Sequence, residues 1–268
     1  MLAFAANSVL CRLALGAGEI DAASFASVRL LSAAAVLAII VLLRDRSLAR
    51  SDINVWSALA LFGYVVFFSF AYLTLATGTG ALILFGAVQL TMFAWALKSG
   101  ERFPALSWFG LALAIAGLVY LLLPGVAAPD PMGATMMAIA GVSWGVYSLL
   151  GRAATDATRA TAWNFVLALP LGLVTSLFFM DEYHVTANGL LLAVISGALT
   201  SGLGYVAWYS ALTRLATGDA ATIQLSVPVI AAVGGVLLLS EPVTLRLIIA
   251  TLATLGGVAI VLRTKRLR

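Results

Sequence analysis

The chain is predicted to be an all-α integral membrane protein of ten transmembrane helices, arranged as two inverted five-helix repeats. Composition, the placement of basic residues and a repeat of constant offset carry this prediction. Of its residues 63% are hydrophobic and 10% are charged, with a mean hydropathy of +1.09. A soluble domain carries about a quarter charged residues, so nearly all of this chain belongs in lipid or against segments that are in lipid.

A membrane span needs about 20 mostly apolar residues. By that rule ten helices are predicted, near 1–16, 23–43, 54–75, 78–97, 104–123, 131–150, 161–180, 187–212, 217–239 and 243–262. Gly, Pro and charge separate them, as in LARSD before Asn54, KSGERFP at 98–104 and PGVAAPDP at 124–131. The first run is short for a span and continues past any small-residue cleavage site, so a removable signal peptide is not expected. With both ends cytoplasmic, the inner loops and tail hold Arg44, Arg46, Arg50, Lys98, Arg102, Arg152, Arg159, Arg214, Arg263, Lys265, Arg266 and Arg268. Only Arg246 falls outside, beside Glu19, Asp21, Asp130, Asp181, Glu182 and Glu241. Twelve basic residues against one is the bias that sets topology. Adding or dropping a span scrambles it.

The string LATG occurs at 75–78 and again at 215–218, and 216 minus 76 is 140. The same offset of 140 relates Ser8 to Ser148, Arg12 to Arg152, Ala81 to Ala221, Glu101 to Glu241 and Gly117 to Gly257. The chain therefore divides into a first half, 1–124, a Pro-rich linker, 125–130, and a second half, 131–268. Five is odd, so the second half enters the membrane inverted relative to the first. Inverted repeats build secondary transporters, in which two similar bundles expose one site to alternate sides.

The ends of the halves, SGERFPALSWFGLALAIAGLVYLL at 99–122 and SEPVTLRLIIATLATLGGVAIVL at 240–262, with GYVAWYSALTRLATGDAATIQLSVPVIAAV at 204–233, resemble the drug/metabolite transporter superfamily in its ten-span EamA branch. The likeness covers essentially the whole chain and is similar to that of the YddG-like amino acid exporters. It implies a central cavity formed by the third, fourth, eighth and ninth helices with parts of the first and sixth, and export of amino acids, other metabolites or drugs. The small four-span relatives place a carboxylate in their first helix for proton coupling. LAFAANSVLCRLALG has none here.

Within the spans the charged groups are Arg12 and Arg29, both near outer helix ends, and snorkelling to headgroups is expected of them. Glu101 and Glu241 precede the fifth and tenth helices and are expected to complement those helix dipoles. With no carboxylate at mid-span, coupling to protons is expected to be weak or indirect. Uncharged groups remain as candidate substrate contacts: Tyr72, Gln89, Trp144, Tyr147, Trp163, Tyr205, Trp208, Tyr209 and Gln224. Tyr64, Phe68 and Tyr72 recur every fourth residue and share one helix face. Rings and amides of this kind hold amphipathic molecules with broad tolerance. The competing assignment is an interfacial aromatic belt, which suits Trp56, Trp108 and Trp163. Gly78, Gly80 and Gly218, with Pro228, are candidate hinges, and packing alone would also explain them.

Other chemistries find little support. Cys11 is the single cysteine and His184 the single histidine, the latter in a polar turn, so no metal or cofactor is expected. Gly141-Val142-Ser143-Trp144-Gly145 matches a nucleophile elbow in letters, yet it lies in an apolar helix and also spells the close-packing GxxxG. No phosphate-binding loop and no basic–aromatic patch points to ATP or nucleic acid. The expected partners are a small-molecule substrate and the lipid bilayer of a bacterial inner membrane, with a monomer sufficient. Drug, sugar or nucleotide-derivative transport stands as the alternative cargo. A lipid flippase or intramembrane enzyme is more distant, since no mid-span catalytic dyad is present.

Overall fold

The computed structural model describes residues 1–46, 53–125, 128–212 and 223–266, whose regular elements are all helices, joined by short turns, with one isolated backbone bridge between Ile20 and Val185. Short polar residues start most helices by accepting an otherwise unpaired N–H. Helix α1 spans Leu2–Gly16, and α2, Ala22–Asp45, starts where Asp21 accepts from the Ser24 N–H at 2.8 Å. Asn54 does the same for α3, Val55–Ala71, through the Ser57 N–H at 3.1 Å. Helix α4 is Thr77–Lys98, and α5, Ala105–Leu122, follows Pro104. Asp130 caps α6, Pro131–Leu150, Asp156 caps α7, Ala157–Phe178, and Thr186 caps α8, Ala187–Ile195. Helix α8 runs on as a π-helical stretch, Ser196–Leu203, into α9, Gly204–Leu212. Helices α10, Ser226–Leu239, and α11, Leu245–Arg266, complete the described chain.

Seven of these stretches are long and apolar enough to cross a membrane, and Leu2–Gly16, Val55–Ala71 and Ser226–Leu239 are apolar but shorter. Boundaries differ from expectation where caps or turns intervene. Helix α3 ends at Ala71 because Tyr72 to Leu75 close successive tight turns. Helix α7 begins four residues early because Asp156 supplies its cap. Pro228 falls in the first turn of α10, just after a turn at Leu225, so it starts that helix rather than kinking it. That position tolerates the missing N–H. Pro170 lies inside α7, which continues past it to Phe178.

Lipid offers no hydrophobic drive between helices, so close packing of small residues must hold the bundle. The principal contacts are α5 with α11, α3 with α6, α2 with α7, and α4 with both α6 and α10. Gly141 lies against Leu84 and Ala87, and Gly145 against Thr91, so the GVSWG string is a packing face for α4. Gly117 lies against Thr254, while Gly257 lies against Ala114 and the Gly110 carbonyl. Subtracting 140 from 257 and from 254 gives 117 and 114, so the two contacts exchange under the offset seen in the sequence.

Polar clusters tie both ends of the bundle. At one end Arg159 Nη2 donates to Asp45 at 2.6 Å, and Arg44 bonds both Asp45 and Asp156. At the opposite end Thr186 donates its N–H to the Glu19 carbonyl and its hydroxyl to the Glu19 carboxylate, at 2.8 and 2.5 Å. Asp21 there donates its N–H to the His184 carbonyl at 2.8 Å, which accounts for the polar turn around the lone histidine.

Candidate functional site: a buried arginine in an aromatic interior

Aromatic rings run through the centre of the bundle. Tyr72 meets Phe68 at 4.8 Å between centroids, Phe68 meets Tyr64 at 5.3 Å, and Tyr64 meets Trp144 at 4.8 Å. Trp144 then contacts Tyr147 at 5.4 Å and Tyr205 at 5.2 Å, and Tyr205 reaches Phe165 at 5.8 Å. Phe4 of α1 touches Trp144, Tyr205 and Trp208. These spacings are those of favourable edge and tilted ring pairs. The period of four in α3 builds the first part of this line, because residues i, i+4 and i+8 share a face.

Arg29 corrects the snorkelling expectation. Its side chain is fully buried, with Cζ 5.1 Å from the Tyr64 ring and 5.0 Å from the Phe68 ring. Nε donates to Ser201 Oγ and Nη2 to the Tyr64 hydroxyl, each at 3.0 Å, and Nη1 has no hydrogen-bond partner among the described residues. The physical reason is that α2 turns this face inward, onto α3 and the π-helical stretch, so the headgroups lie behind other helices. Asn7 extends the network, donating to Tyr64 at 3.3 Å and accepting from Ser196 at 2.5 Å and Thr200 at 3.3 Å.

Arg12 and Glu241 also depart from expectation. Arg12 donates to the carbonyls of Tyr72 and Leu73 at 3.0 and 2.9 Å, and its Nε lies 3.6 Å from Glu241. Glu241 does not serve α11, whose start is held by Thr244 Oγ1 on the Leu247 N–H. Its carboxylate receives the Thr77 N–H at 2.9 and 3.1 Å and the Thr77 hydroxyl at 3.1 Å, capping α4. Ala76, the residue before α4, has no side chain for that task, so the bare N-terminus draws the nearest carboxylate.

Two cavities lie at opposite ends of α4. One, of about 380 Å³, is lined by Gln89, Met92, Ala96, Glu101, Phe103 and Arg152 among others. Gln89 Nε2 is buried there without a hydrogen-bond partner among the described residues. The other, of about 240 Å³, is lined by Leu75, Gly78, Ala232, Val236, Glu241 and Val243 among others.

The predicted site residues therefore separate. Trp144, Tyr147, Tyr205 and Trp208 join the central rings, with Tyr147 also within 3.4 Å of the Thr161 hydroxyl. Tyr72 is buried at the end of the line, donating to the Thr77 carbonyl at 3.3 Å and packing over Gly80. Gln89 lines the larger cavity instead. Trp163 is half-buried in α7, and Gln224 is half-buried just before α10. Gly78 lies against Ala232 and Leu247, a close helix approach. The side chain of Tyr209 and the whole of Gly218 lie outside the described residues. Phe4, Asn7, Arg29, Tyr64 and Ser201 were not among the predicted contacts. A charge and an amide inside apolar helices were the available signals.

Residues 131–263 match the EamA-like transporter family. An uncharacterised protein of Pseudomonas aeruginosa is 48% identical over 242 residues, covering 90% of this chain and 84% of its own length. An uncharacterised transporter of Archaeoglobus fulgidus is 29% identical over 257 residues, covering 90% of this chain and 87% of its own. The threonine/homoserine exporter RhtA of Escherichia coli K12 is 31% identical over 176 residues, 63% of this chain and 53% of that one. A solved crystal structure superposes with a TM-score of 0.67 at 22% identity, covering 100% of this chain and 97% of the other, which speaks to fold. Helical architecture and matched domain together define a multi-pass membrane transporter. The chain belongs to the EamA-like transporter family, within the drug/metabolite transporter superfamily.

Proposed function

We propose that the protein is a secondary transporter exporting amino acids across a bacterial inner membrane by alternating access, through ten spans built as two inverted five-helix repeats. The observation that supports this most is the relation between the two cavities. Adding 140 to Met92, Ala96, Glu101 and Phe103 gives Ala232, Val236, Glu241 and Val243, and each set lines the cavity at its own end. One cavity holds about 380 Å³ and the other about 240 Å³, and at the smaller one Glu241 is drawn onto the start of α4 and onto Arg12. Two similar halves caught in different arrangements are what alternating access requires.

The cargo reading rests on the relatives named threonine/homoserine exporter. The ring-lined interior extends it to apolar and aromatic amino acids, as in the YddG-like exporters. Under this reading both termini are cytoplasmic, a single chain holds both halves and suffices as a monomer, and Gly78, Gly80, Gly218 and Pro228 accommodate the rearrangement. The test is flux of labelled threonine, homoserine and phenylalanine in proteoliposomes of the purified protein, with and without an imposed ΔpH. Saturable flux insensitive to ΔpH is expected. Absence of flux for every amino acid offered would refute the cargo.

A further inference from the structure

We propose that Arg29 is the receptor for the carboxylate of the transported molecule, which enters as the packed rings of Tyr64, Phe68, Trp144 and Tyr205 part to admit it. The assignment rests on the transporter reading and specifies the chemistry of its site.

Arg29 lies well inside α2, seven residues beyond its start at Ala22, or about 10 Å along the axis at 1.5 Å per residue. A cation at such depth is costly and ordinarily finds a counter-charge. Arg44 and Arg159 have theirs in Asp45 and Asp156, and Arg12 has Glu241. Among the described residues no carboxylate lies within 4.0 Å of Arg29, and its partners are two neutral hydroxyls and two ring faces.

The hydrogen-bond inventory says what is missing. A guanidinium offers five N–H groups in a planar fork and accepts nothing. Nη1 is buried and unpartnered. The Tyr64 hydroxyl receives two donors, Arg29 Nη2 and Asn7 Nδ2, so its own proton is left to donate, and no acceptor for it stands among the described residues. Two neighbouring donors of this kind, one cationic, call for a group that only accepts and carries one negative charge. A carboxylate does both, with one oxygen on Nη1 and the other on the Tyr64 proton.

The surroundings hold that pair in place. Asn7 fixes Tyr64 and is itself fixed by Ser196 and Thr200 from the π-helical stretch, which also delivers Ser201 to Arg29. Such π segments recur at functional sites, because the extra residue per turn re-aims side chains. Gly197 lets that stretch approach the Arg29 backbone closely. Trp144 and Tyr205 then face the substituent beyond the carboxylate. One charge suits a monoanion and leaves a dianionic phosphate under-neutralised.

The test compares acids with their amides. Purified full-length protein in nanodiscs is titrated with threonine, homoserine and phenylalanine, and with threoninamide and phenylalaninamide, following intrinsic fluorescence and melting temperature. The wild type is expected to bind at least one acid roughly ten- to a hundredfold more tightly than its amide. Arg29→Met is expected to erase that difference while its melting temperature holds or rises, since an uncompensated buried charge has been removed. Tyr64→Phe, which keeps the ring, is expected to weaken the acid and spare the amide, and it decides the matter if Arg29→Met does not fold. Equal binding of acid and amide by the wild type, binding of no acid at all, or an unchanged preference in Arg29→Met or Tyr64→Phe would each overturn the assignment. Wild-type flux of amino acids that survives in Arg29→Met overturns this site alone. Loss of wild-type flux for all of them is instead a failure of the transport reading.

Discussion

Replacing Glu241 with Gln perturbs the end with the smaller cavity at one point. The carboxylate there receives the Thr77 N–H on both oxygens, at 2.9 and 3.1 Å, and the Thr77 hydroxyl at 3.1 Å, and lies 3.6 Å from Arg12. Hydrogen bonds to a charged group contribute about 1.5–3 kcal/mol each, against about 1 for neutral ones. The pair with Arg12 adds little, because both side chains retain some exposure, 24% and 14%. Gln keeps one acceptor oxygen and turns an amide group toward donors, so the net loss is about 2 kcal/mol, roughly thirtyfold in the equilibrium between closed and open ends. The reporter is Leu75→Cys, at a position 1% exposed, in a background where the single buried cysteine is changed by Cys11→Ala. Modification of that cysteine by a membrane-impermeant maleimide is expected to accelerate by about that thirtyfold factor in Glu241→Gln, with the melting temperature lowered by no more than that loss of about 2 kcal/mol implies. An unchanged rate would refute the role given to Glu241. Acceleration accompanied by a collapse in melting temperature would assign the residue to general stability instead.

Other consequences are open to simpler assays. Gly257→Val places a side chain against Ala114 and the Gly110 carbonyl and is expected to destabilise by about 1–3 kcal/mol, read as a lowered melting temperature in detergent. Gly256→Ala meets nothing within 4 Å and, in a helix interior, is expected to hold or raise that temperature by up to about 1 kcal/mol of stability. Asn7→Ala removes bonds to Tyr64, Ser196 and Thr200 and is expected to cost about 1–3 kcal/mol, again by melting. Ser143→Ala is expected to leave flux unchanged, and the wild type to resist a fluorophosphonate label, because Gly141 and Gly145 make that string a helix-packing face. Labelling of Ser143 would reopen the hydrolase reading.

Much of the helical frame was legible because its punctuation is local. Asp21, Asn54, Asp130, Asp156 and Thr186 each cap the helix that follows within a few residues. The aromatic interior was legible in part, since the period of four in α3 puts Tyr64 and Phe68 on one face. The centre of the site was not. Distance from a helix end made Arg29 look able to reach headgroups, but its fate depends on which neighbour covers that face. Its partner Ser201 lies 172 positions away, presented by a π-helical stretch whose sequence, SGALTSGL, reads as an ordinary continuation of α8. Glu241 shows the same limit. The helix start nearest in sequence is that of α11, whereas the uncapped start nearest in space is that of α4, 164 positions away. Tyr72 illustrates the cost of a boundary error, because α3 ends one residue before it and turns its ring onto Gly80.

Reciprocal opening of the two ends tests the central claim most directly. In the Cys11→Ala background, Gln89→Cys reports on the larger cavity and Leu75→Cys on the smaller one. Labelling rates at both are followed in nanodiscs as Glu241→Gln is introduced. Alternating access predicts that the Leu75→Cys rate rises while the Gln89→Cys rate falls, because one rearrangement opens one end by closing the other. Rates that rise together, or a Gln89→Cys rate indifferent to Glu241, would contradict it.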